Sequence, residues 1–99
     1  MIVVFAEPAG ADLERIGDYI SSDNPGRAAA FVQALIACCE RLADAPLGFP
    51  VVRRYERRGI WVRTYGNYLI FYRVGAATID IVHILHGAQD YGPILFPSP

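Results

Sequence analysis

The sequence predicts an α+β domain in which an α-helical hairpin packs on one face of an antiparallel sheet. Three observations support this class: an apolar strand opens the chain, two amphipathic helical segments follow with a short turn between them, and three strand-like runs complete it. The predicted order is β-α-α-β-β-β. A chain of 99 residues has room for one such domain, over residues 1–99, with one hydrophobic core.

The first strand is predicted over Ile2 to Phe5, and the sequence Pro8-Ala9-Gly10 is expected to break it. A helix then runs from about Ala11 to Ser22, because apolar residues recur there at steps of three and four. Its apolar stripe consists of Leu13, Ile16, Tyr19 and Ile20. The charged residues expected outside the stripe are Asp12, Glu14, Arg15 and Asp18.

The second helix begins with a recognisable cap. Asn24 followed by Pro25 is typical of an N-cap with proline at the first helical position, where its missing N–H costs nothing. This helix is predicted to reach about Ala43, and the short turn before it favours an antiparallel hairpin. Its apolar stripe consists of Ala28, Phe31, Val32, Leu35, Cys38 or Cys39, and Leu42.

Three strands are predicted after the loop at 45–50, which its prolines and glycine keep from continuing the helix. They are Ile60 to Tyr65, Tyr68 to Val74 and Thr78 to Leu85, joined by turns at 66–67 and 75–77. The middle strand alternates apolar residues on both sides, so it should be central and covered on both faces. One helical hairpin covers one face, and we expect a partner chain or the C-terminal tail to cover the other.

Composition limits the class of protein. With 54% hydrophobic residues in so short a chain, some apolar side chains should form a surface patch that a partner covers. No apolar run is long enough to span a membrane, and the opening residues lack the basic region of a signal peptide, so we expect a cytoplasmic protein. The adjacent Cys38 and Cys39 are expected to be reduced and buried.

Positive charge is concentrated in one part of the chain, although the net charge is −1. Six of the nine basic residues lie between positions 53 and 73, alongside a single acid, Glu56, and all nine are arginine. Arginine suits bidentate contacts to carboxylates and phosphates, so these residues are candidates for contacting a partner; the alternative is a solvated charged loop. The six are Arg53, Arg54, Arg57, Arg58, Arg63 and Arg73.

Several stretches, taken in order, resemble the ParE branch of the ParE/RelE toxin superfamily. In the helices they are Ala11 to Ile20, Asn24-Pro25 with Ala28-Ala29, and Cys39 to Ala43 with Pro46. In the strands they are Arg63, Asn67 to Val74, and Leu85 to Ala88. The resemblance covers nearly the whole chain. It implies the same RelE/ParE-like fold, and an antitoxin partner (a ParD-like, ribbon-helix-helix DNA-binding protein) in a hetero-oligomeric complex.

The resemblance also implies a choice between two activities. ParE-branch toxins act on DNA gyrase by binding, whereas RelE-branch toxins cleave mRNA on the ribosome. Gln89 stands where the family has an arginine, it is neutral, and the chain has no lysine. A basic ribonuclease site would then need arginine, which gives up a proton poorly. The sequence therefore favours a non-enzymatic gyrase inhibitor, with no catalytic residues, over an mRNA endonuclease. A degenerate toxin that keeps only antitoxin binding is a third reading.

The two histidines are expected to be structural. His83 lies in an apolar strand as a hydrogen-bonded sheet residue, and His86 opens a turn that it caps or supports. Three positions apart on a strand, they should face opposite sides and not share a metal. We expect no metal and no cofactor. The net charge of −1 argues against nucleic-acid binding as the main role.

The predicted partner-binding set combines the arginines with aromatic residues and the tail, because Trp, Tyr and Arg most often anchor interfaces. Arg63 and Arg73 project from strands, either toward a partner or into internal salt bridges such as one with Asp80. The apolar tail residues either fold back on the sheet or contact a partner, and their prolines are expected to preclude a helix. Besides the six arginines, the set contains Trp61, Tyr65, Tyr68, Phe71, His83, Ile94, Leu95 and Phe96.

Overall fold

The computed structural model of the chain describes residues 1–52 and 58–97. The α+β class and the predicted element order are confirmed, with a short helix added near the C-terminus. The elements are β1 (Ile2–Phe5), α1 (Glu7–Ser21), α2 (Pro25–Glu40) with a 3₁₀ turn at Arg41–Ala43, β2 (Trp61–Tyr65), β3 (Tyr68–Val74), β4 (Thr78–His86) and α3 (Gly92–Leu95).

The first helix begins earlier than its sequence suggests. Pro8 lies in the first turn of α1 rather than breaking the chain, because the N–H groups of that turn have no partner within the helix. Gly10 continues the helix. Tyr19, expected in the apolar stripe, is 76% exposed, and Asp12, expected outside it, is buried.

The start of α2 is as predicted. Asn24 accepts a hydrogen bond from the backbone N–H of Arg27 at 3.1 Å through its side-chain oxygen, and Pro25 occupies the first helical position. The helix ends at Glu40, and the following 3₁₀ turn carries the chain to Ala43.

The four strands form one sheet in the order β1-β4-β3-β2, which makes β3 central as expected. The strands β2, β3 and β4 pair antiparallel. The expectation of an entirely antiparallel sheet needs one correction, because β1 pairs with β4 in parallel, with Ile2 opposite Thr78. The helical hairpin and the loop after it return the chain so that β2 runs in the direction of β1, and two further reversals give β4 the same direction.

A β-bulge interrupts the alternation of β4. Phe71 pairs with His83 and Tyr72 with Ile81, which leaves Val82 without an opposite residue. His83 and Ile84, although adjacent, therefore both lie toward the helices. His83 and His86 were expected on opposite faces, and this expectation is wrong for the same reason.

Each face of the sheet has its own core. The inner face packs under α1 and α2, with Leu35, Ile70 and Tyr72 among its fully buried members. The outer face carries a smaller cluster of Val52, Ile60, Phe71 and Leu85. The chain's own tail packs against that cluster. The tail is also helical for one turn, contrary to expectation, because Pro93 falls in the first turn, where it removes no helical hydrogen bond.

Candidate functional site

A buried carboxylate links α1 to β4. Asp12 is 2% exposed, and its Oδ2 accepts a hydrogen bond from the backbone N–H of Ile84 at 2.8 Å and lies 2.7 Å from Nδ1 of His83. Its Oδ1 accepts from the guanidinium of Arg15. Three donors thus converge on one carboxylate, which offsets the cost of removing it from water.

This cluster confirms His83 as a hydrogen-bonded sheet histidine and corrects the placement of Asp12. Because α1 begins at Glu7, Asp12 shares a side of the helix with Ala9 and Ile16, at spacings of three and four residues. A sequence signal for the pair existed. A histidine inside an apolar strand needs an acceptor, and Asp12 is an acid one turn before a core isoleucine.

The turn after β4 is held by side chains. The backbone N–H of His86 donates to Oε1 of Gln89 at 3.0 Å, and the backbone N–H of Ala88 donates to Nδ1 of His86 at 3.1 Å. The expected role of His86 in supporting the turn is confirmed. Gln89 is a structural acceptor here, a role that arginine cannot perform because its side chain only donates.

Arg63 lies on the inner face and makes internal contacts. Its guanidinium donates to the backbone carbonyl of Cys38 at 3.4 Å, near the C-terminal end of α2, and lies over the ring of Phe49 at 4.7 Å. Burial raises the pKa of the Cys39 thiol from its ordinary 9.0 to about 12, and raises the pKa of Tyr72 from 10.0 to about 12. The charge of Arg63 opposes both shifts.

Arg73 lies on the outer face and is exposed. Its guanidinium donates to the backbone carbonyl of Arg58, whose own guanidinium lies 4.9 Å from the centroid of the Phe96 ring. Arg73 pairs with Asp80 in strand register, yet the suggested salt bridge between them is not formed. Arg53, Arg54 and Arg57 lie outside the described residues.

The predicted aromatic residues are divided between the two faces. Tyr65 and Tyr68 contact Phe31 of α2, at centroid distances of 5.9 and 5.6 Å. Trp61 packs against the same inner core. Phe71 is on the outer face instead and contacts Tyr91 at 5.1 Å. The aromatic residues therefore do not form one continuous patch.

The tail covers part of the outer face. Leu95 and Phe96 are half-buried against the cluster around Phe71, whereas Ile94 is 37% exposed. Of the two possibilities for the tail, the fold-back on the sheet accounts for Leu95 and Phe96, and Ile94 remains accessible to a partner.

A groove lies between α1 and the ends of β3 and β4, and encloses about 290 Å³. We call it the α1–β4 groove. It is lined by Arg15, Ile16, Tyr19, Tyr68, Ile84, His86 and Gln89. A second concavity adjoins it and shares Tyr19, Tyr68 and His86, with Arg27 and Phe31 on its far side. No local pattern in the sequence indicates this groove, because its lining comes from four separate segments.

Within residues 1–52 and 58–97, no three histidine, cysteine or acidic side chains are grouped so that they could hold a metal ion. Cys38 and Cys39 are free and buried, as expected. In the same residues no helix is long and apolar enough to cross a membrane.

Comparison with known proteins gives matches of two kinds. The family model for the ParE toxin of the type II toxin–antitoxin system, parDE, matches residues 3–91. A chain of the chromosomal ParDE TA system from P. aeruginosa superposes with a TM-score of 0.75 and 24% identity, over 87% of this chain and 95% of that one. A chain of the toxin–antitoxin complex RelBE2 from Mycobacterium tuberculosis superposes with a TM-score of 0.65 and 24% identity, over 89% of this chain and 92% of that one. These two likenesses show the fold alone. No curated protein matches the chain.

Proposed function

The chain belongs to the ParE toxin family of type II toxin–antitoxin systems, and from that membership we propose that it inhibits DNA gyrase by binding and without catalysis of its own. A cognate ParD-like antitoxin, a ribbon-helix-helix protein, would neutralise it in a hetero-oligomeric complex in the cytoplasm. Both similar structures come from toxin–antitoxin systems, which supports an antitoxin partner.

One observation carries the non-catalytic part of the proposal: the side chains that acid–base chemistry would need are engaged in holding the fold. His83 is bound to Asp12, and Nδ1 of His86 accepts from the turn. Arg63 is directed to the C-terminal end of α2. One ring nitrogen of each histidine and the guanidinium of Arg63 are therefore used within the fold, which supports binding over acid–base catalysis. The observation concerns the described residues, and three arginines of the 53–57 segment fall outside them.

The test uses purified gyrase and the full chain. We expect the chain to reduce supercoiling of relaxed plasmid, or to increase cleaved plasmid in the presence of ATP, in proportion to its concentration. Adding the protein encoded by the adjacent reading frame should restore supercoiling and co-elute with the chain. No effect on gyrase at any concentration would contradict the proposal.

The mRNA endonuclease is the second candidate, supported by Arg58 and Arg73, which lie together on the outer face. It predicts cleavage of ribosome-bound mRNA in a translation extract, and loss of that cleavage on Arg73→Ala. The matched control is Arg41→Ala, an exposed arginine after α2. Complex formation with the antitoxin, without growth arrest or either activity, would indicate a degenerate toxin.

A further inference from the structure

We propose that the α1–β4 groove binds one apolar side chain of a partner's peptide, and that the residues flanking that side chain in the peptide are acidic. The inference rests on the proposed function in one respect, namely that a partner protein covers this chain. It goes further in assigning a site on the chain and the chemistry of the segment that enters it.

The size of the groove favours a single side chain. Ligand sites for drug-sized molecules enclose roughly 300–1,000 Å³, and the groove, at about 290 Å³, is at the lower limit of that range. Its floor is apolar, because Ile16 and Ile84 are buried core residues. Tyr19 and Tyr68 form its walls. Tyr19 is mostly exposed, and burying a large aromatic surface of this kind is a common source of interface affinity.

The polar atoms on the rim are donors. The acceptor Oε1 of Gln89 is already used by the N–H of His86, which leaves the amide NH₂ of Gln89 as the polar group of that side chain available to a ligand. Likewise, Nδ1 of His86 accepts from Ala88, so the neutral ring carries its proton on Nε2. Arg15 also lines the groove, and its guanidinium has N–H groups besides the one that donates to Asp12. A ligand that supplies acceptors would complete this rim.

Charge favours acidic acceptors. Among the described residues that line the groove and its adjoining concavity, two are arginines, Arg15 and Arg27, and none is aspartate or glutamate. The chain as a whole has ten acids and nine arginines, so this local excess does not follow from composition. Arg15 already pairs with the buried carboxylate of Asp12, so the excess positive charge comes mainly from Arg27.

A peptide fits these features better than a nucleic acid does. Affinity for nucleic acid comes mainly from many phosphate contacts along an extended basic surface. The groove and its adjoining concavity offer one arginine each beside an apolar floor, in a chain of net charge −1. This arrangement suits an apolar anchor flanked by carboxylates.

The binding test uses three small probes that share a phenyl ring and differ in their polar end. They are 3-phenylpropionate, 3-phenylpropanamide and phenethylamine, titrated into ¹⁵N-labelled full chain and followed by NMR. We expect the carboxylate to shift the Gln89 side-chain amide and the backbone signals of Tyr19, Tyr68 and His86. It should bind at least about ten-fold more tightly than the amine, because a hydrogen bond to a charged group is worth roughly 1.5–3 kcal/mol. Equal binding of carboxylate and amine would overturn the proposal.

The decisive variant is Gln89→Glu. Glutamate keeps an oxygen that accepts from the N–H of His86, so the turn should persist, but it replaces the donor NH₂ with a carboxylate. We expect thermal stability close to that of the wild type and carboxylate binding weakened by about ten-fold or more. The control is Arg41→Gln, which is exposed and distant in sequence from the groove and should bind as the wild type does. Undiminished carboxylate binding by Gln89→Glu would refute the role given to the rim.

Two further measurements separate this inference from the proposed function. A thymidine oligonucleotide that shifts the groove signals more strongly than 3-phenylpropionate would identify a nucleic-acid site and overturn the peptide assignment. Gln89→Glu and Tyr19→Ala should each weaken the complex with the antitoxin. If the antitoxin binds both variants like the wild type, the groove inference fails while the proposed function stands. If the probes bind as expected and no antitoxin complex forms, the groove inference stands and the proposed function fails.

Discussion

The two faces of the sheet are covered in different ways. The inner face lies under two helices of 15 and 16 residues, and its core extends from Ala9 to Ile84. The outer face is covered by the side chains of Val52 and Ile60 and by a tail with one helical turn. A long helix is held by many hydrogen bonds of its own as well as by packing, whereas the tail has one helical turn of such bonds and depends more on its side chains. Stability should therefore reside in the inner face, and the outer face should be the more adaptable of the two.

The largest expected effect is on the inner face, at Asp12. Asp12→Ala leaves the half-buried His83 and the buried N–H of Ile84 without their acceptor, and we expect a loss of about 3–5 kcal/mol in the free energy of unfolding. Urea denaturation measures it. Asp18→Ala, an exposed acid on the same helix, should change stability by less than about 0.5 kcal/mol. Equal effects of the two substitutions would mean that the buried cluster does not stabilise the inner face.

Removing residues 92–99 tests the outer face. Full burial of a leucine or phenylalanine side chain is worth about 1.5–3 kcal/mol, and Leu95 and Phe96 are half-buried, so we expect a loss of about 2–3 kcal/mol. Binding of a hydrophobic dye should increase as Phe71 is uncovered. The substitution Ile94→Ser, at an exposed position, should leave stability nearly unchanged. Unchanged stability of the truncated chain with lost partner binding would show instead that the tail serves the partner.

Alkaline pH should weaken the inner face through Cys39. Its pKa is raised to about 12 in the folded chain, so between pH 9 and 12 the unfolded chain loses a proton that the folded chain keeps. Stability is therefore complete below pH 9 and falls by about 1.4 kcal/mol per pH unit above it. Tyr72 acts in the same direction above pH 10. Urea denaturation at pH 8, 9 and 10 should show a smaller slope for Cys39→Ala than for the wild type.

The two strand arginines give the smallest and most direct comparison of the faces. Arg63→Met removes a hydrogen bond to the C-terminal end of α2 and a contact with Phe49, and we expect a loss of about 1–2 kcal/mol. Arg73→Met, on the exposed outer face, should change stability by less than about 0.5 kcal/mol. Arg63→Met should also raise the pKa of Tyr72 further, which spectrophotometric titration of the phenol would detect. A larger stability loss for Arg73 than for Arg63 would reverse the assignment of the faces.

Much of the fold follows from local patterns, and the departures have identifiable causes. The spans of β1 and β3 and the cap at Asn24 were predictable, because alternation and capping depend on neighbouring residues. The start of α1 was not predictable, because a proline can either break the chain or occupy the first turn of a helix, and its neighbours do not distinguish the two. The direction of β1 relative to β4 depends on residues far apart in the chain, and periodicity carries no information about it.

The site was less predictable than the fold. Arg63 and Arg73 each lie in a strand with apolar residues on both sides, so the local pattern does not tell which arginine faces the helices; the register of the sheet places Arg63 on the inner face and Arg73 on the outer face. Alternation from Ile79 and Ile81 puts His83 on the inner face, where it contacts Asp12, but the bulge that brings Ile84 to the same face has no local signal. The α1–β4 groove is formed by side chains from both helical and strand segments, so no single motif could indicate it.

The parallel pairing of β1 with β4 has a consequence for how the chain is made. Ile2–Phe5 is synthesised before both helices, but its partners, Thr78 to Ile81, emerge only when most of the domain has been synthesised. Pairs so distant in sequence form slowly, because the entropy of closing the intervening loop is lost before the contact is gained. The helical hairpin can form earlier from local contacts. A growing chain therefore carries an unpaired apolar strand until β4 has been synthesised, and the sheet is completed only after that.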